Sequence, residues 1–413
     1  MIKVSTIRLD NGLTLLHNYN AATRMVALNI LYDVGSRDEQ PEHTGLAHLM
    51  EHLMFTGSKN APSFDGALQA AGGTNNAWTS VDVTNYYDIV PAHNIETALW
   101  LERDRLLNLN LDSRSIELQK SVVIEEFKQR YLNQPYGDFY HLLNGEAFKV
   151  HPYRVPTIGR NVDDIRNVPV EVVQHFFRSH YAVNNMVLCI AGSVPLERAL
   201  ELVKKWFGDI EPVDISPRRL PQEPPQSEPR LVVSEERDVP SNILWRAYHM
   251  CDRLSRDFAA TDLLSDVLAN GPSSRFKQSE MIKSGMMSEL DASVWGTEDP
   301  GLFYIRARLA DGVDFDTASA ALDAELNSLL DEGVTEREVT KYANKFVTTQ
   351  QFENVGNDAK AARLCAFANR SSADDINREP ELYRATTAAD VNRVARAILR
   401  PSNCTTLLYR KRP

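Results

Sequence analysis

Two spacings of apolar residues run through this chain and divide it into strand-like and helix-like segments. Segments 26–34, 186–191, 230–233, 243–250 and 302–307 are apolar or alternate in polarity. That pattern predicts strands, since successive strand side chains face opposite ways. Segments 46–56, 95–107, 113–132, 259–270, 317–332 and 336–351 repeat their apolar residues three and four apart, which predicts amphipathic helices. Two of these helices run up to a glycine, 46–56 before Gly57 and 259–270 before Gly271. Strand segments lie between helical ones, so the expected class is α+β, with mainly antiparallel sheets backed by helices.

The glycine-ended helices also point to a repeat. With Gly57 laid on Gly271, Ala47-His48-Leu49-Met50-Glu51-His52 falls on Thr261-Asp262-Leu263-Leu264-Ser265-Asp266. The identity is thin, and we read it as a degenerate duplication. Between the halves, Pro212, Pro217, Pro221, Pro224, Pro225 and Pro229 crowd one stretch. Proline fixes φ and removes an amide donor, so this density predicts an extended linker rather than a helix or central strand. The expected division is one αβ domain over 1–212, a linker over 213–229 and a related αβ domain over 230–413.

Length allows such a division, because 413 residues exceed one ordinary core and suit two to four domains or repeats. No stretch of 18 uncharged apolar residues occurs, so no membrane span is expected. A net charge of −11 argues against nucleic acid and mildly favours neutral or basic partners. Cys189, Cys251, Cys365 and Cys404 are far apart, with no Cys-x-x-Cys pair, and read as buried thiols of a reducing compartment. Met1-Ile2-Lys3-Val4-Ser5 leads directly into a strand-like pattern. No signal peptide is visible there, and a cytoplasmic location is expected, with an earlier-removed leader left open.

The chemistry concentrates in Gly45-Leu46-Ala47-His48-Leu49-Met50-Glu51-His52-Leu53-Met54-Phe55-Thr56-Gly57. On a helix, His48 and His52 leave from one face, and two imidazoles at that spacing can share a zinc ion at about 2.0–2.1 Å. Glu51 lies close to the same face and can reach a water on that metal, taking its proton and later passing it to a leaving amine. This His-x-x-Glu-His order is the inverzincin arrangement. Such a string arises by chance in roughly one or two chains in a hundred, so a plain helix with two surface histidines competes with it. The surrounding Leu49, Met50, Leu53 and Met54 favour the metal, because ligand-type side chains on a buried helix need partners. Catalytic zinc takes a third protein ligand. The helix at 113–132, capped by Asp112 or Ser113, offers Glu125 and Glu126, and spacing alone does not choose between them.

At these residues the chain resembles the pitrilysin / mitochondrial processing peptidase family, over nearly all its length. Residues 45–57 are similar to the family's zinc helix. Gly72-Gly73-Thr74-Asn75-Asn76-Ala77-Trp78-Thr79 is similar to its substrate-binding edge strand, and Val122-Val123-Ile124-Glu125-Glu126-Phe127 to the segment carrying its third ligand. His151-Pro152-Tyr153, Pro156-Thr157-Ile158-Gly159, Tyr181 and Asn184-Asn185-Met186 continue the likeness. Gly271-Pro272-Ser273-Ser274-Arg275 and Asp299-Pro300-Gly301-Leu302-Phe303 extend it into the second half. The resemblance implies a zinc endopeptidase with one zinc per chain, held by His48, His52 and Glu126, with Glu51 activating a zinc-bound water. It implies the α+β half of a clamshell, with the metal in domain 1–212 and none in domain 230–413. It also implies that peptides or unfolded segments bind extended along Asn76 and Ala77, by main-chain pairing. The short chain resembles bacterial members that pair two chains into one chamber, as a homodimer or a heterodimer with a related chain.

The family pattern breaks at two places. Many relatives carry a second glutamate two turns before the third ligand; here Gln119 stands there, which can hydrogen-bond but carries no charge and would support the site differently. Relatives also bind substrate through an arginine and a tyrosine in the second half, where this chain has Met281 and Ser288. An alternative from another class is a catalytically silent assembly or peptide-binding subunit, against which the retained His48, Glu51, His52 and Glu126 speak. Asp262 and Asp266 imitate a metal pair only by spacing, since zinc favours nitrogen or sulfur. The remaining histidines read as surface or satisfied core residues, His151 being the expected exception.

Overall fold

The computed structural model describes residues 1–235 and 238–412. It forms two compact units. One comprises Met1–Lys128, Val155–Leu220 and Gln350–Glu379, the other Gln129–Arg154, Pro221–Thr349 and Pro380–Pro413.

The first unit is built on a six-stranded sheet. Its strands are β1 (Ser5–Arg8), β2 (Thr14–Tyr19), β3 (Met25–Tyr32), β4 (Thr74–Thr79), β5 (Thr84–Pro91) and β6 (Met186–Gly192). They lie in the order β1-β2-β6-β3-β5-β4, antiparallel throughout except for the β2–β6 pair. Every residue of β6 is buried, as its unbroken apolar sequence requires of a strand covered on both faces. The edge strand β4 instead alternates between exposed and half-buried residues. The same unit contains the helices α1 (Leu46–Leu53), α2 (Phe64–Ala70), α3 (Ile95–Asn108) and α4 (Ser113–Phe127). The helix expected over 113–132 changes at Phe127 into a π-helical turn, Lys128–Leu132.

The second unit carries β7 (Arg230–Ser234), β8 (Ile243–His249), β9 (Met287–Trp295), β10 (Leu302–Leu309) and β11 (Cys404–Tyr409), in the order β7-β11-β8-β10-β9. Its one parallel pair is β7–β11. Leaving β1 aside, the two sheets share one order and one pattern of parallel and antiparallel pairs. The helix Phe258–Ala269 sits between β8 and β9, as α1 sits between β3 and β4. The duplication that was thin in sequence is therefore complete in topology.

The compact units differ from a simple cut at the proline-rich stretch. The helix Asn357–Arg370 comes late in the chain, yet it buries Ala361, Leu364 and Cys365 against Leu16, Ala27, Leu31, Val187 and Cys189 of the first sheet. Conversely, the helix Phe139–Ala147 belongs to the second unit, where Asn144 accepts from the Tyr304 hydroxyl at 2.7 Å. A buried apolar helix face goes to whichever sheet covers it, regardless of chain order. The proline-rich residues carry no helix or strand, as expected, but they are tied down. Arg218 pairs with Asp33 and Asp38, and the Glu223 carboxylate accepts the amides of Lys149, Val150 and His151.

Candidate metal centre

The helix α1 begins at Gly45, whose φ of 89° is left-handed. A Cβ there would stand 2.7 Å from the Ile158 carbonyl oxygen, so a side chain would be both strained and blocked. The carboxylate of Glu39 accepts the amides of Gly45 and Ala47, each at 2.8 Å, and so satisfies donors that the first turn leaves unpaired. Leu46, Ala47, Leu49, Met50 and Leu53 are buried. The burial of that face leaves His48, Glu51 and His52 half-buried on the other.

Opposite them stands Glu126 of α4, the helix capped by Asp112, whose side chain accepts the Ser115 amide at 2.7 Å. The Glu126 Oε2 lies 3.2 Å from His52 Nε2 and 3.8 Å from His48 Nε2. The two imidazoles are edge to face, with centroids 4.8 Å apart. Three donors around tetrahedral zinc at about 2.0–2.1 Å stand roughly 3.3 Å from one another. The two carboxylate–imidazole separations bracket that value, so two nitrogens and one oxygen suit the ion without rebuilding either helix. Among the described residues no other cluster of three such side chains converges. Of the two adjacent glutamates, Glu126 is the one that faces the histidines, whereas Glu125 points outward, with 63% of its side chain exposed, and pairs with Lys128 at 2.6 Å.

The Glu51 Oε2 accepts the hydroxyl of Thr79 at 2.5 Å. Thr79 ends β4, the edge strand that carries Asn76 and Ala77. Asn76 is exposed, and its side-chain oxygen accepts the Ala77 amide at 2.8 Å. Gln119 lies two turns before Glu126 on the same face of α4, half-buried.

The second unit has no counterpart of this cluster among its described residues. Asp262 accepts the Tyr383 hydroxyl at 2.6 Å and Asp266 accepts the side-chain amide of Asn270 at 2.5 Å, so both are engaged locally. Met281 is buried in the core of that unit, and Ser288 is exposed on β9. Neither replaces the arginine or tyrosine that the resemblance called for. His151 is buried, with Nε2 3.4 Å from Asp299 and Nδ1 accepting the Tyr153 amide, a cross-link inside the second unit. The four cysteines are free thiols.

Two contributors to the site escape a reading of the sequence alone. Thr79 stands two residues after Ala77 in a strand, a spacing that shares a face, so a signal for it exists. Glu39 offers none, because a carboxylate reaching a helix start from a preceding loop has no fixed spacing.

Known families and solved structures match this chain along most of its length. The family model described as "Insulinase (Peptidase family M16)" matches residues 14–159, and "Peptidase M16 inactive domain" matches 167–346. "Zinc protease PqqE" of Helicobacter pylori is 28% identical over 99% of this chain and 93% of its own length. The crystal structure of a protease from Helicobacter pylori superposes with a TM-score of 0.92 at 25% identity, covering 99% of this chain and 100% of that one. Pitrilysin superposes with a TM-score of 0.80 at 20% identity, and this whole chain corresponds to 45% of it. These matches, with the duplicated sheets, place the chain in the insulinase- and pitrilysin-like peptidase family M16, with an α+β architecture in each of its two units.

Proposed function

We propose that this chain is a zinc-dependent endopeptidase that hydrolyses peptides or unfolded protein segments. One observation carries the reading: Glu126 meets His48 and His52 at ligand distance, on a helix that also presents Glu51 beside the edge strand β4. One zinc per chain, held by His48, His52 and Glu126, would supply Lewis acidity for the scissile carbonyl and acidify a water. Glu51 takes the proton of the attacking water and delivers it to the departing amine, so one carboxylate serves as base and then acid. The edge of β4 at Asn76 and Ala77 holds the substrate extended by main-chain hydrogen bonds, which grip without regard to sequence. Gln119 supports the site as a neutral hydrogen-bonding side chain.

The correspondence to about half of pitrilysin supports a paired assembly, a homodimer or a heterodimer with a related chain. One observation favours the alternative of a silent assembly or peptide-binding subunit: Met281 and Ser288 stand where substrate-gripping residues were expected. A partner chain supplying those groups reconciles this with activity.

Wild type and Glu51→Gln, tested for zinc content and for cleavage of a mixed peptide library, decide the matter. The expected result is one zinc in both and cleavage by the wild type alone, with the variant slower by about 100-fold or more. Zinc in both with no cleavage by either supports the silent reading. A wild type that binds no zinc sinks the proposal.

A further inference from the structure

Thr79 Oγ1 donates to Glu51 Oε2 across 28 residues of sequence, joining the sheet edge to the helix α1. The donor is held by more than its own strand. Thr79 pairs with Thr84 of β5, and the Thr84 hydroxyl is bonded to the Val34 carbonyl at 2.9 Å. The intervening turn is closed by the Ser80 hydroxyl, which accepts the amides of Asp82 and Val83. The same turn is tied to residues 36 and 37, whose amides bond the carbonyls of Ser80 and Val81. The acceptor is equally fixed, since α1 is anchored by its buried face and by Glu39. Alternation along β4 also places Thr79 on the half-buried face it shares with Ala77, while Asn76 and Trp78 are exposed opposite.

We propose that Thr79 is a positioning residue: its hydroxyl holds the Glu51 carboxylate, so that the base and the strand aligning the peptide form one rigid piece. The inference rests on the peptidase reading above. A glutamate side chain has three torsions to restrain, and a hydroxyl on a paired strand restrains them better than a loop would. Losing this hydroxyl disorients the base and leaves peptide pairing along β4 intact, so the effect falls on kcat rather than on KM.

The test uses the full chain with Thr79→Val, which keeps the shape and removes the donor, and Thr79→Ser, which keeps the hydroxyl. Steady-state kinetics on a cleaved library peptide are read beside zinc affinity by chelator competition. For Thr79→Val, kcat is expected to fall about 10-fold or more, with KM and zinc affinity near those of the wild type. Thr79→Ser is expected to recover most of the loss. A wild-type kcat in Thr79→Val overturns the role, as does a raised KM at unchanged kcat, weakened zinc, or a Thr79→Ser as impaired as Thr79→Val. Thermal unfolding of the metal-free proteins supplies a readout independent of turnover. Thr79→Val and Glu51→Ala are expected to be non-additive in the double variant, and additivity overturns the contact. An inert wild type overturns the peptidase reading, and the thermal cycle then still decides whether Thr79 holds Glu51.

Discussion

Glu125 and Glu126 carry the same side chain one position apart, and a helix turn of 3.6 residues sends them to different environments. Glu126 faces His52 Nε2 at 3.2 Å, whereas Glu125 reaches into solvent beside Lys128. Exposed pairs of the latter kind contribute only about 0–1 kcal/mol. Glu126→Gln is therefore expected to weaken zinc binding at least about 100-fold, since even second-layer partners of metal ligands are worth 10–100-fold. Glu125→Gln is expected to leave it unchanged. Isothermal titration of zinc into both variants checks the pair, and equal losses would refute the assignment. At this scale the His-x-x-Glu-His string was legible because its spacing is local. Glu126 was reached through family likeness alone, and the structure gives the physical cause in the buried face formed by Ile116, Val123, Ile124 and Phe127.

A buried charged cluster lies against the aromatic residues that follow α1. Arg105 of α3 is fully buried and grips Glu102 with Nε at 2.7 Å and a terminal nitrogen at 2.5 Å. Its guanidinium carbon lies 4.4 Å from the ring centre of Phe64, 4.5 Å from that of Tyr86 and 5.5 Å from that of Phe55, just beyond α1. Burial, then the charge of Glu102, pushes the Asp88 carboxyl well above the usual carboxylate range. Arg105→Met leaves Glu102 without its counter-charge, and denaturant unfolding is expected to show a loss of about 3–5 kcal/mol.

In the second unit, burial pushes the Asp266 carboxyl up to about 6. A folded pKa above the unfolded value of about 3.9 means that stability is full at low pH and is lost as pH rises to about 6. Asp266→Asn keeps an acceptor for Asn270 and is expected to melt higher than the wild type at pH 8. The gap should close near pH 4, and a gap independent of pH would refute the account. The element periods were readable in sequence. The ionic cluster was not, because Asp88, Glu102 and Arg105 look like ordinary surface charges until a strand and a helix bring them together.

The whole molecule is less divisible than its proline-rich stretch indicates. The first sheet is covered by Ala361, Leu364 and Cys365, all fully buried, from a helix that starts 165 residues beyond the end of β6. A fragment of residues 1–212 therefore exposes the apolar face that this helix covers. It is expected to lack cooperative unfolding and to bind hydrophobic dyes, whereas the full chain unfolds cooperatively and does not. A fragment that melts as sharply as the full chain would contradict this. The repeated strand order tells the complementary story. Two sheets of one topology need not keep one chemistry, and His48 and His52 have Asp262 and Asp266 at the aligned positions. Topology survives such changes because it depends on apolar patterning, while a metal site depends on a few side chains.

What the sequence determined by itself is what local spacing can carry. Periodicity along the chain defines strands and helices, and a four-residue step puts two imidazoles on one helical face. Likeness of motifs supplied the family, Glu126 as the candidate third ligand, and the edge strand. Tertiary structure decided whatever depends on approach between distant segments: Glu126 turned inward, Thr79 on Glu51, Glu39 on the start of α1, and a late helix in the first core. Contacts of that kind have no spacing rule, because the folding of the intervening chain alone sets the distance between their partners.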